Sequence, residues 1–443
     1  MQKNERDEYN TASIIIVVIM LIGFISICYQ VILKNVCVDI FHIKASWVDK
    51  TITSLEGGNI YSPEAVGTDW KIRYPFRENS MYEQQRIETS ESQTESEGKI
   101  QRIYTQFEKY STDYFMFRNI CEIVSKEFSK CLGMNIVTDS NGYIVYEMSD
   151  GRYSAERPYK SSDIEAQNII SLSKYLEAVG IEYAYIAVPA PVDPDEADTL
   201  IARGYNEYSN AMMDELLTEL EQHQIVTLDL RQQMKEENIS WSDVFFRSDH
   251  HWKPEYGIWG AKKISDIIDG TLNLKSDKSV FDIDNYTIEI ANNVYMGGFG
   301  KSLTTVYVSK DDMEIWTPKF RTDIYKTVPK YDLKLNGEFR SVIYDMTNWP
   351  TYNIWNHGIQ PIKTYNNSLI TDNVKILLLT ESYSDVVSPF LACAYSNIEE
   401  IDLRCFDGSL ETYIEEMNPD IVVTIYSAYD FNSGSENSLY YFK

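Results

Sequence analysis

Cysteine is scarce in this chain and badly spaced for metal. Cys28, Cys37, Cys121, Cys131, Cys393 and Cys405 form no C-x-x-C pair and no zinc-finger spacing, which argues against a cysteine-based metal site. Cys28 falls in a long apolar run. Cys121 with Cys131, or Cys393 with Cys405, is compatible with a disulfide in an oxidising compartment and equally with buried thiols. Histidine is rarer still: there are five, and no H-x-x-x-H or H-E-x-x-H pattern joins them. Positive charge is also short. Forty Lys and Arg stand against 67 Asp and Glu, a formal net charge of −27 with no basic cluster, so the chain repels nucleic-acid phosphates and other strongly anionic polymers. A neutral or weakly charged glycan is the easier polymeric partner. No internal repeat is present.

Against this background one stretch concentrates chemistry: Arg247-Ser248-Asp249-His250-His251-Trp252-Lys253-Pro254 holds two of the five histidines beside a carboxylate. If it is extended, alternate side chains share a face, so Asp249 goes with His251 while His250 and Trp252 point the other way. An Asp oxygen that accepts from one imidazole nitrogen fixes the tautomer and leaves the other nitrogen able to take a proton from a nucleophile. The candidate nucleophile comes later, where the apolar run Lys375–Leu379 breaks into Thr380-Glu381-Ser382-Tyr383-Ser384. The apolar pattern of Asp385–Ala392 then suits a short helix, interrupted or kinked at Pro389. Strand, turn and helix place Ser382 at the carboxyl edge of a parallel sheet, where α/β folds bind ligands. Ser382 could instead cap a helix, a role for which Ser384 is equally suited. Two histidines and a carboxylate also invite a metal, but adjacent extended residues diverge, and no metal is expected.

These residues resemble the DHHW family, related to the SGNH-like proteins of alginate O-acetylation. The resemblance rests on Asp249-His-His-Trp252 and the helix expected over Tyr256 to Ile268. Further support comes from Phe107–Phe115 with Arg118-Asn119, from Asn141–Tyr146 as a first hairpin, and from Ser382-Tyr383, Pro389–Ala392 and Ile401-Asp402-Leu403-Arg404. It covers roughly residues 100 to 430. SGNH-type proteins usually carry Gly-Asp-Ser or Asp-Ser at the nucleophile, where this chain has Thr380-Glu381-Ser382. The resemblance implies an O-acetyltransferase of cell-surface polysaccharide, with Ser382 as nucleophile, His251 as base and then acid, and Asp249 orienting it. It needs no cofactor, and it implies a separate multipass membrane protein as acyl donor. A carbohydrate esterase with the same triad, or a non-catalytic glycan-binding protein, are the alternatives. Trp252 would pack under the loop or stack on sugar, Tyr383 would take part in substrate binding, a backbone N–H after the strand could meet an oxyanion, and Gly298 could bring an N–H close to substrate. Arg404 would bind substrate or form a salt bridge.

The chain divides accordingly. Residues 1–12 form a short tail, and Ser13 to Leu33 is an uncharged apolar run of the roughly 20 residues a transmembrane helix needs. No small-residue cleavage site follows, so an anchor is expected, with the bulk of the chain outside the cytoplasm as in the family. Residues 34–99 read as a stalk whose polar, acidic part is 77–99. Residues 100–443 read as an α/β domain, an SGNH-hydrolase-like parallel sheet covered by helices. Apolar stripes from Ile169 to Val179, Met212 to Leu220 and Leu410 to Met417 mark helices. Tyr183–Val188, Ile225–Leu230, Ile376–Leu379, Ile398–Leu403 and Asp420–Tyr426 mark strands. Residues 270–370 break this rhythm, and an irregular or β-rich insertion is expected there.

Overall fold

The computed structural model describes residues 126–128, 130–133, 137–138, 143–428 and 439–442. The expected anchor at 13–33, the stalk at 34–99, Cys28, Cys37 and Cys121, and the early segment from Phe107 to Asn119 lie outside them. Among the described residues no helix is long and apolar enough to cross a membrane. By contacts the chain falls into two units, Met1–Leu132 and Gly133–Lys443, and everything below concerns the second.

Thirteen strands are described: β1 (Val137–Thr138), β2 (Ile144–Glu147), β3 (Tyr153–Ala155), β4 (Glu182–Val188), β5 (Val226–Asp229), β6 (Tyr286–Tyr295), β7 (Asp311–Pro318), β8 (Ile324–Val328), β9 (Leu333–Gly337), β10 (Ile362–Asn367), β11 (Lys375–Thr380), β12 (Asn397–Ile401) and β13 (Ile421–Ser427). Eight build the central sheet in the order β5-β4-β13-β11-β12-β10-β8-β9. The first five run parallel. The other three, all from the expected insertion, are antiparallel, so the sheet is mixed rather than parallel. Part of the correction has a local cause: β8 and β9 are joined by the single 3₁₀ turn Pro329–Tyr331, a connection short enough for an antiparallel hairpin and too short for a parallel crossover.

Strand alternation sorts the core onto two faces. Ile376, Leu378, Ile421, Val423 and Ile425 pack on one side with the Pro254–Leu272 helix through Ile258, Ala261, Ile264 and Ile268. Leu377, Leu379 and Val422 face the other way, onto the helices Asp163–Val179, Ser209–Gln222 and Leu410–Met417. The Asp163–Val179 helix stops where its stripe ends, because Gly180 takes a left-handed conformation there (φ 78°). The rest of the insertion makes the two-stranded β6–β7 ribbon. A small sheet, β1-β2-β3, shares an apolar cluster with Met296, Phe299 and Leu303 of the Gly-rich turn. Cys393 and Cys405 are both free thiols, as is Cys131, so the Cys393–Cys405 disulfide does not form.

Candidate active site

The Asp249–His251 segment is not extended. Phe245 bridges Trp252 in antiparallel sense, and Lys253 N–H bonds the Val244 carbonyl at 2.8 Å, so the residues between them form a tight loop that runs into Pro254, the first turn of the next helix. The insertion holds this loop. Arg247 and Ser248 donate their N–H groups to the Asp311 carboxylate at 3.0 and 2.9 Å, and Ser248 Oγ donates to it at 2.6 Å. Gly300 N–H then bonds the Ser248 carbonyl, and Gly297 N–H bonds Ser248 Oγ at 3.0 Å.

Within the loop, Asp249 is buried and collects four donors. Its Oδ1 accepts from His251 Nδ1–H at 2.7 Å and from the His251 backbone N–H at 3.0 Å. Its Oδ2 accepts from Tyr295 Oη at 2.6 Å and from Gly298 N–H at 2.8 Å. Burial alone would push this carboxyl up, but the His251 and His250 charges and the donated hydrogen bonds outweigh it and hold Asp249 well below the usual carboxylate range. Gly297 lies so close that an added Cβ would sit 2.2 Å from Asp249. Only a glycine fits there.

His251 stacks on Tyr352 with ring centroids 4.0 Å apart and planes 15° from parallel. With Nδ1–H given to Asp249, Nε2 is the accepting nitrogen, and Ser382 Oγ lies 2.9 Å from it. Ser382 opens a 3₁₀ turn, Ser382–Val386, directly after β11, so its N–H has no intrahelical acceptor and points out of the turn's start. From Glu381 to Tyr395 every residue is buried except Ser382. The turn therefore exposes one hydroxyl, and that hydroxyl meets the imidazole. Helix and turn approach closely enough that Gly257, too, has no room for a Cβ, which would fall 2.3 Å from the Val386 carbonyl.

The remaining sequence candidates fall elsewhere. Trp252 is fully buried and its indole N–H bonds the Tyr383 carbonyl at 2.9 Å; it packs beneath the loop and offers no face to a sugar. Tyr383 is buried as well, its hydroxyl donating to the His250 carbonyl at 2.7 Å. Gly298 gives its N–H to Asp249 rather than to a substrate. Arg404 pairs with Asp402 at 2.7 Å, the structural salt bridge. Ser384 caps nothing: its buried Oγ has no hydrogen-bond partner among the described residues. Glu381, in place of the family's acidic residue, reaches across the sheet edge and accepts from Ser427 N–H at the end of β13.

His250 departs from the expected opposite face. Its Nδ1 lies 3.2 Å from Asp249 Oδ1, and its ring sits 3.9 Å from that of His251, because the chain bends where an extended segment would alternate. Asp249, His250 and His251 consequently offer three ligand atoms within 4.8 Å of one another, the one such cluster among the described residues. Tyr295, Tyr352 and Asp311 were missed in the sequence because they lie in the insertion, far along the chain and without a motif.

A carboxylate, an imidazole and a half-exposed serine hydroxyl joined in series at 2.7 and 2.9 Å have the geometry for transferring a proton off the hydroxyl as it attacks a carbonyl. Residues 150–287 match the family model described as SGNH hydrolase-like domain, acetyltransferase AlgX; the match includes Asp249–His251 and ends before Ser382. No curated protein sequence matches the chain. Among solved structures, PatB1 of Bacillus cereus superposes with a TM-score of 0.56 at 18% identity, covering 68% of this chain and 100% of that one. A DHHW family protein of Eubacterium siraeum superposes with a TM-score of 0.53 at 15% identity, covering 68% and 96%. The chain thus resembles the SGNH-like acetyltransferases of the AlgX type in its matched segment, residues 150–287, and the DHHW proteins in its SGNH-like α/β fold.

Proposed function

We propose that this protein is a membrane-anchored, extracytoplasmic O-acetyltransferase that modifies a neutral or weakly charged polysaccharide. The observation that carries the reading is the Ser382–His251–Asp249 series, with Ser382 the single residue of its turn that is not buried. The match to an acetyltransferase domain supports the reaction class, and PatB1 has a structure with a sulfonyl adduct. The apolar run at 13–33 supports an anchor, and the net charge of −27 favours an uncharged acceptor.

In this mechanism Ser382 Oγ attacks the acyl carbonyl while His251 Nε2 takes its proton, and the buried Asp249 carboxylate stabilises the imidazolium. The developing oxyanion is met by the Ser382 N–H at the start of the turn. His251 then protonates the departing donor group, leaving acetyl-Ser382. A sugar hydroxyl loses its proton to His251 and attacks the ester, restoring the serine. A multipass membrane protein would deliver the acetyl group to the anchored domain.

The test is to supply the full chain, in detergent, with an activated acetyl ester, with and without neutral oligosaccharide and beside Ser382→Ala. The expected result is an acetyl adduct on the parent, absent from the variant, that oligosaccharide discharges into acetylated sugar. Release of acetate regardless of sugar would make the protein an esterase. An adduct-free parent indistinguishable from Ser382→Ala would end the catalytic reading and leave a glycan-binding protein.

A further inference from the structure

Behind the nucleophile turn lies a set of buried charges that the proposed mechanism does not use. Lys363 on β10 stands directly opposite Glu400 on β12, and its ammonium, almost fully buried, contacts Glu400 Oε1 at 3.1 Å, Asp385 Oδ1 at 2.8 Å and the Gly358 carbonyl at 3.1 Å. Three acceptors use all three of its N–H bonds. Asp385 belongs to the same 3₁₀ turn as Ser382. Glu400 is held in turn by Tyr365 Oη at 2.8 Å and Asn356 Nδ2 at 3.2 Å. The other end of the turn is tied through Glu381 to Ser427 on β13.

We infer that Asp385 is a positioning residue for Ser382, and that the insertion strand β10 supplies Lys363 in order to hold it. This rests on the proposed serine mechanism. A five-residue 3₁₀ turn has poor hydrogen-bond geometry of its own, and a nucleophile displaced by an ångström loses rate. Side-chain ties from Glu381 to β13 and from Asp385 to β10 clamp the turn from both sides of β11, and Ser382 lies between the two tied residues. Keeping an ammonium and two carboxylates out of water is less favourable than filling the space with apolar side chains, so a merely structural core has no need of them. Asp385 Oδ2, buried, has no hydrogen-bond partner among the described residues, which shows that the carboxylate is placed by its Lys363 contact and not by a saturated network. One ammonium serves two carboxylates here: burial, outweighing Lys363, and the Glu400 charge push Asp385 up to about 6, while the two carboxylates raise Lys363.

The test measures the rate of acetyl-Ser382 formation by the full chain at a temperature well below each variant's melting point, as kcat and KM separately. Asp385→Ala and Lys363→Met should each lower kcat at least tenfold with KM within twofold. Asp385→Asn, whose amide oxygen still accepts from Lys363, should stay within about threefold of the parent. A destabilised core alone would lower the melting point without this split, so a kcat within twofold of the parent in whichever of Asp385→Ala and Lys363→Met folds overturns the inference. If one of them does not fold, the other decides. A parent that forms no acetyl-enzyme at all would remove the serine mechanism and this inference together, whereas unchanged kcat in the variants of an active parent removes this inference alone.

Discussion

The phenol of Tyr295 is the element of the site whose removal can be worked through most fully. Tyr295→Phe deletes one of the two donors to Asp249 Oδ2 and leaves Oδ1, with both His251 contacts, intact. Tyr295 is buried, 2% exposed, so its hydroxyl is shielded from solvent. A hydrogen bond to a charged group contributes about 1.5–3 kcal/mol, so the variant should lose that much stability at neutral pH. In melting temperature this is a fall of roughly 3–12 °C, at about 2–4 °C per kcal/mol for a domain of this class. The same loss would move the Asp249 carboxyl back up toward its ordinary range, since one hydrogen bond that favours the charged form is gone. Because the folded carboxyl starts well below its ordinary 3.8, its contribution is complete above that value and disappears only as the pH falls through the folded value. The deficit of the variant should therefore be equal at pH 7 and pH 5. Since Oδ1 still orients His251, acetyl-enzyme formation should fall less than about tenfold. The assay is urea titration at both pH values, followed by tryptophan fluorescence, on a soluble chain beginning near Ile100. A stability loss under about 0.5 kcal/mol, or one that differs between pH 5 and pH 7, would refute the account of how Asp249 is held.

His251→Ala should abolish acetyl-enzyme formation, a loss on the order of 10³-fold or more. His250→Ala, whose ring also contacts Asp249, should cost less than about tenfold, since a partly exposed contact of this kind contributes roughly 0–1 kcal/mol. Equal losses, together with chelation of the parent reversed by zinc, would turn the pair into a metal site. Gly297→Ala must displace the Asp249 carboxylate, since its Cβ would lie 2.2 Å away; overpacking of this kind costs about 1–3 kcal/mol, and thermal melting with the acylation assay should show loss of both stability and rate. His357 is pushed down to about 3 by burial and the Lys326 and Lys363 charges, and its Nδ1 accepts from Lys326 at 3.0 Å. Unfolded, it titrates near 6.5. Stability therefore falls as the pH drops below 6.5, by at most about 2 kcal/mol at pH 5. His357→Asn, which keeps the left-handed backbone at φ 65°, should flatten that dependence in urea titrations.

Much of the framework is a local property of the chain. The apolar runs at 183–188 and 376–379 fall within β4 and β11, the run at 420–426 coincides with β13 but for Asp420, and the stripes at Ile169, Met212 and Leu410 fall on helices, because periodicity and burial are set by neighbours a few residues away. The Asp249-x-His251 spacing and the serine turn after an apolar strand were likewise visible without coordinates. Tertiary structure decided the rest. Hydropathy gives no sign that Lys326 and Lys363 are buried, because a lysine in a strand reads as solvent-facing until its acceptors, Asn356 and Asp385, are known. Nor does it show that 270–370 extends the main sheet, since antiparallel pairing of β10 with β12 depends on register between distant segments. The sequence alone predicts an extended segment at 248–251, because alternation is the default for a short polar run. It bends because Asp311 and the Gly297–Gly300 turn, more than 45 residues away, supply the hydrogen bonds that hold the bend, and with it they decide that His250 lies beside His251.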